Sequence, residues 1–426
     1  MKVMTIGGGG REMALVAHLV GCGHEVTAVG ASDAIAQLAQ ATLPMPSSAN
    51  PKAGWEELAA IASQSGIELT IVGPEAPLAT GIADVFAEHS LPIFAPTQAG
   101  AQLETSKAFA KAVMERAGVP TAAYNLFECN AAAAAYLADP ATPYPTVLKE
   151  NGLRAGKGVT ICATPAEAEA VLAELELSAE NPLLVEEFLD GFEFSLIVAA
   201  NGTHYVPLPV AQDHKPIGEG NTGPNTGGMG AVSPVPRVTP ELYREAIDRV
   251  IEPTLAQMLA DGVPFTGFLY AGLIATARGV KVIEFNARLG DPEAEVILPR
   301  LEGDLAAVAL TLLSGQAATL PVMDSTCLGI VLSSPGYPST VTASPEIPQA
   351  LVDAVAADPD AGFTHMGTAR SAAAASGWQA KGGRVAIVTM RGADIAACRA
   401  KLLPLLETCL AGSSLYYRRD IGTFAE

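Results

Sequence analysis

The sequence predicts an α/β protein of several domains, the first of which is a doubly wound parallel sheet. Its 426 residues correspond to about two to four domains at roughly 100–200 residues each. Hydrophobic residues make up 49% of the chain and charged residues only 16%, which leaves ample apolar material for buried cores. The first hundred residues alternate between strand and helix patterns, and this alternation is typical of a parallel sheet covered by helices.

The elements of this first region follow from short apolar runs separated by amphipathic stretches. We predict strands at residues 3–6, 25–29, 69–72 and 92–94, and helices at 12–20, around 55–65 and at 78–89. In a doubly wound sheet, ligands bind beyond the carboxyl ends of the strands. Residues 7–11 and 73–77 fall at such ends, so we expect a ligand near them.

The middle of the chain predicts a mixed architecture. We expect a helix at 106–118, and the alanine-rich stretch 131–138 is predicted as a helix because alanine has the highest helix propensity. Between 146 and 200 the pattern indicates a strand, a glycine loop, a strand, a helix and two strands joined by a hairpin turn at Asp190-Gly191. This succession is typical of a small α+β lid. Residues 212–230 form a long polar, glycine-rich stretch, predicted as a functional or mobile loop.

Helices and strands continue through 240–315, and the last hundred residues alternate again. Strands are predicted near 328–332 and 384–388, and a helix near 393–406. We therefore predict an N-terminal domain at 1–104, a central domain with the larger sheet at 105–122 and 197–324, a lid at 123–196, and a small C-terminal α/β domain at 325–426.

Composition narrows the range of partners. The net charge of −20 argues against nucleic acid or an anionic membrane, because either would repel the chain. No apolar run approaches the ~18 residues of a membrane span, and the apolar start is too short for a signal-peptide core. The six cysteines lack CxxC pairing and are expected to be reduced. We expect a cytoplasmic protein with small-molecule substrates, either a monomer or a weak dimer.

Residues 281–293, KVIEFNARLGDPE, carry the strongest chemical signal. An apolar run alternates with Glu284, Asn286 and Arg288, whose same-side spacing in a strand is about 7 Å. A carboxylate and an amide oxygen suit Mg²⁺ shared with substrate phosphates, and a neighbouring guanidinium suits a phosphate or a carboxylate. The alternative is an edge strand with a solvated polar face, which is common in antiparallel sheets.

Two glycine-rich turns are candidate phosphate sites. GGGGRE at 7–12 lies between a strand and a helix and offers backbone N–H groups, with Arg11 beside them. It is neither a GxGxxG fingerprint, because Glu12 stands where the third glycine would be, nor a Walker loop. Lys149 ends a strand before the loop 151–159, which contains Lys157 and resembles a phosphate clamp. The alternatives are a tight turn without ligand and an exposed lysine beside a turn.

Other polar residues give weaker signals. In LLVEEFLDGFEFS (183–195), the backbone between Glu186 and Leu189 could pair with an adenine edge, and Glu193 could reach ribose hydroxyls; the alternative is an amphipathic strand pair. The histidines show no metal-ligand spacing. Glu293 and Glu295 are equally consistent with surface helix residues.

Taken in order, these motifs resemble those of the ATP-grasp ligases. The matching features are Lys107, the loop 149–158, EEFLDG at 186–191, QDHK at 212–215, GPNTGGMG at 223–230 and IEFNARLGDPE at 283–293. Within that superfamily the chain is similar, from its N-terminal glycine loop to YYRRDIG at 416–422, to the phosphoribosylamine–glycine ligase family of purine biosynthesis. The resemblance implies an ADP-forming ligase that joins glycine to 5-phosphoribosylamine through glycyl phosphate, with ATP and Mg²⁺ or Mn²⁺.

The resemblance also implies roles for individual residues. ATP binding falls to Lys107, Lys149, Gly156, Lys157, Gly158, Glu186, Glu187, Phe188, Leu189 and Glu193. Substrate binding falls to Gly9, Gly10, Arg11, Glu12, Pro74, Glu75, Asp213, Lys215, Asn225, Thr226, Gly227, Gly228, Arg288, Gly290 and Asp291. Catalytic roles fall to Lys149, Asp213 and Arg288, and metal binding falls to Glu284 and Asn286.

The chain departs from the family pattern mainly near the acceptor loops. Gly8 and Met13 replace an asparagine and a histidine, Gly30-Ala31-Ser32-Asp33 replaces a Pro-Gly-Asn loop, and Ala294-Glu295 replaces Thr-Gln. In the lid loop, Glu150 and Arg154 replace alanines. One alternative is therefore a paralogous ATP-grasp ligase that joins glycine, or another small amino acid, to a different amine. Another is a non-catalytic nucleotide-binding regulator, against which the complete set of predicted phosphate and metal ligands argues.

Overall fold

The computed structural model describes residues 1–153 and 158–424. The first region is a parallel sheet with strand order β3-β2-β1-β4-β5, flanked by helices, and confirms the predicted doubly wound architecture. Its elements in chain order are β1 (Lys2–Ile6), α1 (Gly10–Gly21), β2 (Glu25–Val29), α2 (Ile35–Leu38), β3 (Ala41–Leu43), α3 (Pro51–Ser65), β4 (Leu69–Val72), α4 (Glu75–Ala79), α5 (Ile82–Glu88), β5 (Ile93–Phe94) and α6 (Gln102–Thr105).

The single helix predicted at 78–89 is wrong. The chain forms α4 and α5 there, with a break at Gly81, whose φ of +79° lies in the left-handed region that glycine adopts readily. The break lets α4 begin directly after β4, so Glu75 lies in the first turn of α4 at the carboxyl edge of the sheet.

The next region is an antiparallel sheet with strand order β6-β9-β7-β8. Its elements are α7 (Lys107–Ala117), β6 (Tyr124–Phe127), α8 (Asn130–Leu137), β7 (Thr146–Glu150), β8 (Val159–Cys162), α9 (Pro165–Leu172) and β9 (Leu183–Glu187). The alanine-rich segment is helical, as predicted, and α8 and α9 pack on the sheet around a core of their own.

A second antiparallel sheet, ordered β11-β10-β16-β17, follows in the chain. The elements of this stretch are β10 (Phe192–Asn201), β11 (His204–Pro207), β12 (Gln212–Asp213), β13 (Pro216–Gly218), β14 (Thr222–Asn225), β15 (Gly230–Ser233), α10 (Pro240–Ala246), α11 (Glu252–Ala260), β16 (Thr266–Thr276), β17 (Gly279–Asn286), α12 (Glu293–Ile297) and α13 (Leu305–Leu313). A π-helical turn (Ile247–Ile251) joins α10 to α11.

The hairpin predicted at Asp190-Gly191 is wrong. The strand β9 pairs with β6 and β7, whereas β10 pairs with β11 and β16, so the two strands around this turn belong to different sheets. Residues 188–191 therefore link the sheet β6-β9-β7-β8 to the sheet β11-β10-β16-β17. The stretch 212–230 also differs from the predicted loop, because β13 and β14 pair as a hairpin and β12 and β15 pair with each other.

The last region is built on an antiparallel sheet, β12-β15-β18-β22-β19, that includes two strands from the middle of the chain. Its remaining elements are β18 (Thr326–Ser333), α14 (Gln349–Ala357), β19 (Ala361–His365), β20 (Thr368–Arg370), β21 (Trp378–Ala380), β22 (Arg384–Gly392) and α15 (Ile395–Cys409). Because β15 pairs with β18, the C-terminal region and the glycine-rich stretch form one continuous structure.

One large apolar core joins the first, central and last regions, with buried members from Val3 to Ile421. None of the described helices is long and apolar enough to cross a membrane.

Candidate active site

A cavity of about 390 Å³ lies where the four larger sheets approach one another. Its walls contain side chains from α7, from β7 and β9, from the 212–230 stretch, from β17 and from β22. The predicted site residues that line it are Arg11, Glu75, Lys107, Lys149, Glu186, Asp213, Lys215, Thr226, Gly227, Glu284, Asn286, Arg288 and Asp291. Residues more than 270 positions apart in the chain thus share one cleft, as Arg11 and Arg288 illustrate.

A β-bulge turns the polar side of β17 toward this cavity. The register passes from the pair Leu273–Val282 to the pair Gly272–Glu284, so Ile283 is an extra residue. As a result Val282 and Phe285 are both buried against the core, although three positions separate them, and Glu284 and Asn286 line the cavity. The strand is an edge strand, but its polar side lies in a cleft, which favours the cation-site interpretation over a solvated face.

The donors of β17 fit a divalent cation that is shared with phosphates. Burial opposes ionisation of Glu284, but the charges of Lys215, Lys149 and Lys107 outweigh it and lower its pKa. The Asn286 Oδ1 atom accepts a hydrogen bond from Arg288 Nη2 at 3.0 Å. Among the described residues, no cluster of three or more His, Cys, Asp or Glu side chains could hold a metal by itself. One carboxylate and one amide match the few protein ligands that Mg²⁺ usually takes when phosphates complete its shell.

Three lysines surround the opposite wall. Lys149 Nζ lies 2.9 Å from Glu186 Oε2 and donates to the Ile283 carbonyl oxygen at 3.0 Å. Lys107 Nζ donates to the carbonyl oxygen of Gly152 at 3.0 Å. Lys111, which sequence reasoning did not assign to the site, lies 3.3 Å from Glu186 Oε1. The spacing of Lys107 and Lys111 by four residues on α7 was the available signal, because residues four apart share a helix face.

Burial governs the protonation of Lys111. Desolvation lowers its pKa to about 8, although the Glu186 carboxylate acts in the opposite direction. The side chain also donates to Thr121 Oγ1 at 2.9 Å. Glu186 therefore serves as a buried counter-ion for two lysines.

The rest of the predicted adenine segment lies outside the cavity lining. Glu187 pairs with Lys281 and accepts from the Ala123 N–H at 3.2 Å, while Phe188 is 42% exposed. Glu193 lies in a small adjoining recess, with its Oε2 atom 3.7 Å from Lys215 Nζ. Gly158 accepts a backbone hydrogen bond from Glu150 at 2.9 Å. The predicted ligands Gly156 and Lys157 lie outside the described residues.

Asp213 and Lys215 form a half-buried, oppositely charged part of the wall. Burial raises the pKa of Asp213, and Lys215 opposes this effect. The Asp213 charge in turn raises the pKa of Lys215. An ammonium group bound beside Asp213 would stabilise its ionised form in the same way.

The interpretation of Glu293 and Glu295 as surface residues is wrong. Both are almost fully buried, and Glu293 lines the cavity. Glu293 Oε1 accepts hydrogen bonds from the hydroxyl of Tyr270 and from Ser195 Oγ, the latter at 3.0 Å. The Ser195 and Tyr270 hydroxyl oxygens are 2.8 Å apart, which completes a buried polar triad beneath the Asp213 wall.

The N-terminal glycine turn contributes chiefly through Arg11. Glu12 is 2% exposed; its Oε2 accepts from the Gly9 N–H at 2.7 Å and its Oε1 lies 2.6 Å from Arg11 Nε. Glu12 therefore shapes the turn and orients Arg11, which also donates to the Leu289 carbonyl oxygen at 3.1 Å. The other predicted substrate-binding residues are not part of the cavity lining: Gly9, Gly10, Glu12, Pro74, Asn225, Gly228 and Gly290.

Arg288 is held by acidic side chains from the first region. Its Nη2 atom lies 2.8 Å from Glu104 Oε1, and its Nε atom lies 3.8 Å from Glu75 Oε2. Glu104, a residue that sequence reasoning missed, also accepts from the Ala287 N–H at 2.8 Å. No local motif marks Glu104, because its partners lie more than 180 residues further along the chain.

Comparison with known protein families identifies the family to which this chain belongs. Domain families of phosphoribosylglycinamide synthetase match nearly the whole chain: the N domain matches residues 1–104, the ATP-grasp (A) domain 105–294 and the C domain 327–424. The chain belongs to the phosphoribosylglycinamide synthetase family. The predicted family, the α/β fold class and the class of enzyme, an ADP-forming ATP-grasp ligase of purine biosynthesis, are thereby confirmed.

Individual members of this family match from end to end. The phosphoribosylamine–glycine ligase of Lactococcus lactis subsp. lactis is 39% identical over 431 residues, covering 100% of both chains. That of Salmonella typhimurium is 40% identical over 440 residues, covering 99% of this chain and 98% of its own. The first of these matches spans the whole chain, including the residues of the acceptor loops.

Solved structures agree at the level of the fold. The phosphoribosylamine–glycine ligase of Thermotoga maritima has a TM-score of 0.81 at 26% identity, covering 99% of this chain and 100% of that chain. A biotin carboxylase domain from Hydrogenobacter thermophilus, crystallised with MgADP, has a TM-score of 0.67 at 15% identity, with 98% and 90% coverage. The second likeness concerns the fold alone.

Proposed function

We propose that the protein joins glycine to 5-phosphoribosylamine, with ATP converted to ADP and phosphate. The observation that carries this proposal is the single cavity that brings the lysines of α7 and β7, the polar side of β17, and Asp213 together with Arg11 of the glycine turn. The cavity offers charges complementary to the phosphates of ATP, to the carboxylate and ammonium groups of glycine, and to a phosphorylated amine. Family membership along the whole chain supports the same reaction.

The first step transfers the γ-phosphoryl group of ATP to the glycine carboxylate. Lys107 and Lys149 hold the phosphates, and Gly156, Lys157 and Gly158 are assigned to the same ligand. A divalent cation, Mg²⁺ in our proposal with Mn²⁺ as the other candidate, would be held by Glu284 and Asn286 and would supply neutralisation of the developing phosphate charge. The adenine edge would contact the backbone of Glu186, Glu187, Phe188 and Leu189, with Glu193 toward the ribose.

Glycine is oriented by its two charged ends. Asp213 receives the ammonium group and Arg288 neutralises the carboxylate and then the acyl phosphate, while Lys215 opposes the rise that burial causes in the pKa of Asp213. The backbone of Asn225, Thr226, Gly227, Gly228, Gly290 and Asp291 encloses this end of the cleft. Exclusion of water matters because an acyl phosphate hydrolyses readily.

In the second step the amine attacks the acyl carbon, the C–N bond forms and phosphate leaves. Arg11 and Glu75, with the backbone of Gly9, Gly10 and Pro74, hold the phosphoribosyl group, and Glu12 positions Arg11. We further propose cytoplasmic localisation, small molecules as the only substrates, and a monomer or weak dimer.

The acceptor loops favour a second candidate, a ligase for a different amine. A side chain at Gly8 would collide with the carbonyl oxygen of Gly30 and approach the Ser32 backbone nitrogen at 3.1 Å. Two departures from the family pattern, at Gly8 and at 30–33, therefore pack against each other. Such a paired change would reshape the acceptor end while it leaves the phosphate end intact.

The two candidates differ in their amine dependence. ADP release should be measured with glycine and freshly generated phosphoribosylamine, and separately with glycine and simple amines. We expect phosphoribosylamine to be required for rapid turnover. ADP release with other amines but not with phosphoribosylamine would establish the second candidate.

The metal-ligand role of Glu284 predicts a large catalytic effect. Glu284→Gln should reduce turnover roughly 10²-fold or more, because it removes a charge at the site of phosphoryl transfer. Steady-state rates at saturating Mg²⁺ provide the measurement, with the exposed Glu302→Gln as a matched control. Near-normal turnover of Glu284→Gln would refute the role.

A further inference from the structure

Two side chains of the C-terminal region form hydrogen bonds with the backbone of Gly227, one with its N–H group and one with its carbonyl oxygen. Its N–H group donates to the Tyr337 hydroxyl at 2.9 Å, and the carbonyl oxygen of Gly227 accepts from Arg384 Nη1 at 2.6 Å. The same Arg384 nitrogen lies 2.8 Å from Asp291 Oδ1. Arg384, Gly227 and Asp291 all line the cavity.

The two gripping residues are themselves fixed. Arg384 begins β22 and pairs in register with Ser333 at the end of β18, and Tyr337 follows in the connection from β18. A side chain at Gly383 would collide with the Tyr337 ring, so the ring packs directly on the backbone beside Arg384. Tyr337 and Arg384 therefore act as one rigid unit, called here the Tyr337–Arg384 clamp.

The residues on either side of Gly227 contact the part of the site proposed to bind glycine. Gly228 adopts a φ of +111° and lies so close to Pro292 that a side chain there would collide with its ring. Thr226 donates from its backbone N–H and from its hydroxyl to the Lys215 carbonyl oxygen, at 2.8 and 2.7 Å. A displacement of Gly227 would therefore be transmitted through Thr226 to Lys215 and its neighbour Asp213.

We propose that Tyr337 and Arg384 are positioning residues that hold the Gly227 segment over the donor substrate and so couple ATP consumption to amide formation. The proposal rests on the function proposed above. When the segment is loose, water reaches the acyl carbon, phosphate leaves and glycine is regenerated, so ATP is hydrolysed without an amide product. The clamp touches neither nucleotide ligands nor the metal ligands and should leave ATP binding unaffected.

The test compares Tyr337→Phe and Arg384→Lys with wild type by measuring ADP and amide in the same reaction. Each change removes or shifts one hydrogen bond to Gly227, so we expect KM for glycine to rise about 3- to 10-fold. We also expect more than one ADP per amide, with KM for ATP unchanged. Matched controls are Tyr205→Phe, whose hydroxyl contacts Glu252, and Arg391→Lys, further along β22.

The outcomes separate the clamp from the overall assignment. A ratio of one ADP per amide with normal KM for glycine in both variants overturns the proposal, as does an equal rise in KM for every substrate accompanied by a lower melting temperature. Formation of amide by the wild-type protein tests the function itself. If the wild-type protein forms no amide, glycine-dependent ADP release by the two variants still reports on the clamp.

Discussion

Glu295 is a buried carboxylic acid whose burial the sequence pattern does not indicate. It lies on α12, a five-residue helix that is buried on every side, so it has none of the polar face that marks a surface helix. Among the described residues, neither carboxylate oxygen has a hydrogen-bond donor. A side chain at Gly10 would approach Glu295 Oε1 at 2.5 Å, which places the carboxyl group against the start of α1.

Burial and the nearby Asp291 raise the pKa of Glu295 well above its ordinary value of 4.5, despite the attraction of Arg384. A carboxyl group with a raised folded-state pKa stabilises the fold fully below the unfolded pKa, and this contribution is lost as pH rises toward the folded value. Glu295→Gln does not titrate and should therefore gain stability relative to wild type as pH rises above 4.5.

Melting temperatures of both proteins between about pH 5 and about pH 8 provide the measurement. We expect the advantage of Glu295→Gln to grow with pH. A constant difference across the range would show that Glu295 is ionised in the folded protein.

At the scale of elements, local patterns identified strands better than they identified partners. β2 and β4 were predicted at their observed bounds, because each is a short apolar run; β4 is buried along its whole length and most of β2 is buried. The turn at Asp190-Gly191 has hairpin chemistry, yet β10 pairs with β16, more than 60 residues further along the chain. The bulge at Ile283 is likewise a property of the pairing with β16 and not of β17 alone.

Arg418, near residue 426, supports the β13–β14 hairpin in the middle of the chain. Arg418 has no exposed surface and donates to the Pro216 carbonyl oxygen at 2.8 Å and to Asn221 Oδ1 at 3.0 Å, besides pairing with Asp420. The sequence pattern predicts a functional or mobile loop here, because Arg418 lies 202 residues beyond Pro216 and no local pattern indicates the contact.

Replacing the two adjacent arginines should have very different effects. Arg418→Met removes the cation that pairs with the half-buried Asp420 and leaves the Pro216 and Asn221 acceptors without this donor, so it should lower the free energy of unfolding by about 2–4 kcal/mol. Arg419 is exposed, with its Nη1 atom 3.4 Å from Glu407, so Arg419→Met should cost about 1 kcal/mol or less. Urea denaturation measures both, and similar losses would contradict the support assigned to Arg418.

For the molecule as a whole, the motif-borne part of the site was predictable and the rest was not. Lys107, Lys149, Glu284 and Asn286 lie in recognisable sequence patterns and do share one cavity. Arg384 reaches that cavity only because β22 pairs with β18, which no local pattern in either strand specifies. The individual roles of these residues remain predictions.

The continuity of the main core predicts cooperative unfolding of the two ends of the chain. α1 packs against both α12 and β19, and the core extends from β1 to Ile421. Trp55 and Trp378, the only tryptophans, are buried in this core, one near each end of the chain. Denaturation of the Trp55→Phe and Trp378→Phe variants should therefore be measured by fluorescence and by circular dichroism. In each variant, the midpoint from the remaining tryptophan should equal the midpoint from circular dichroism. Separate fluorescence and dichroism midpoints in either variant would show that the ends unfold independently.

The pairing of β15 with β18 affects the order in which the protein folds during translation. On the ribosome, β15 emerges well before β18 and β22, and Arg418 follows later still. Domains generally fold as they are synthesised, from the N-terminus onward. A nascent chain can therefore complete the parallel sheet and the lid while the wall formed by the glycine-rich stretch still lacks its partners. The lining of the cleft is therefore complete only at the end of translation, and a truncated chain that ends before β22 lacks the arginine that holds Gly227.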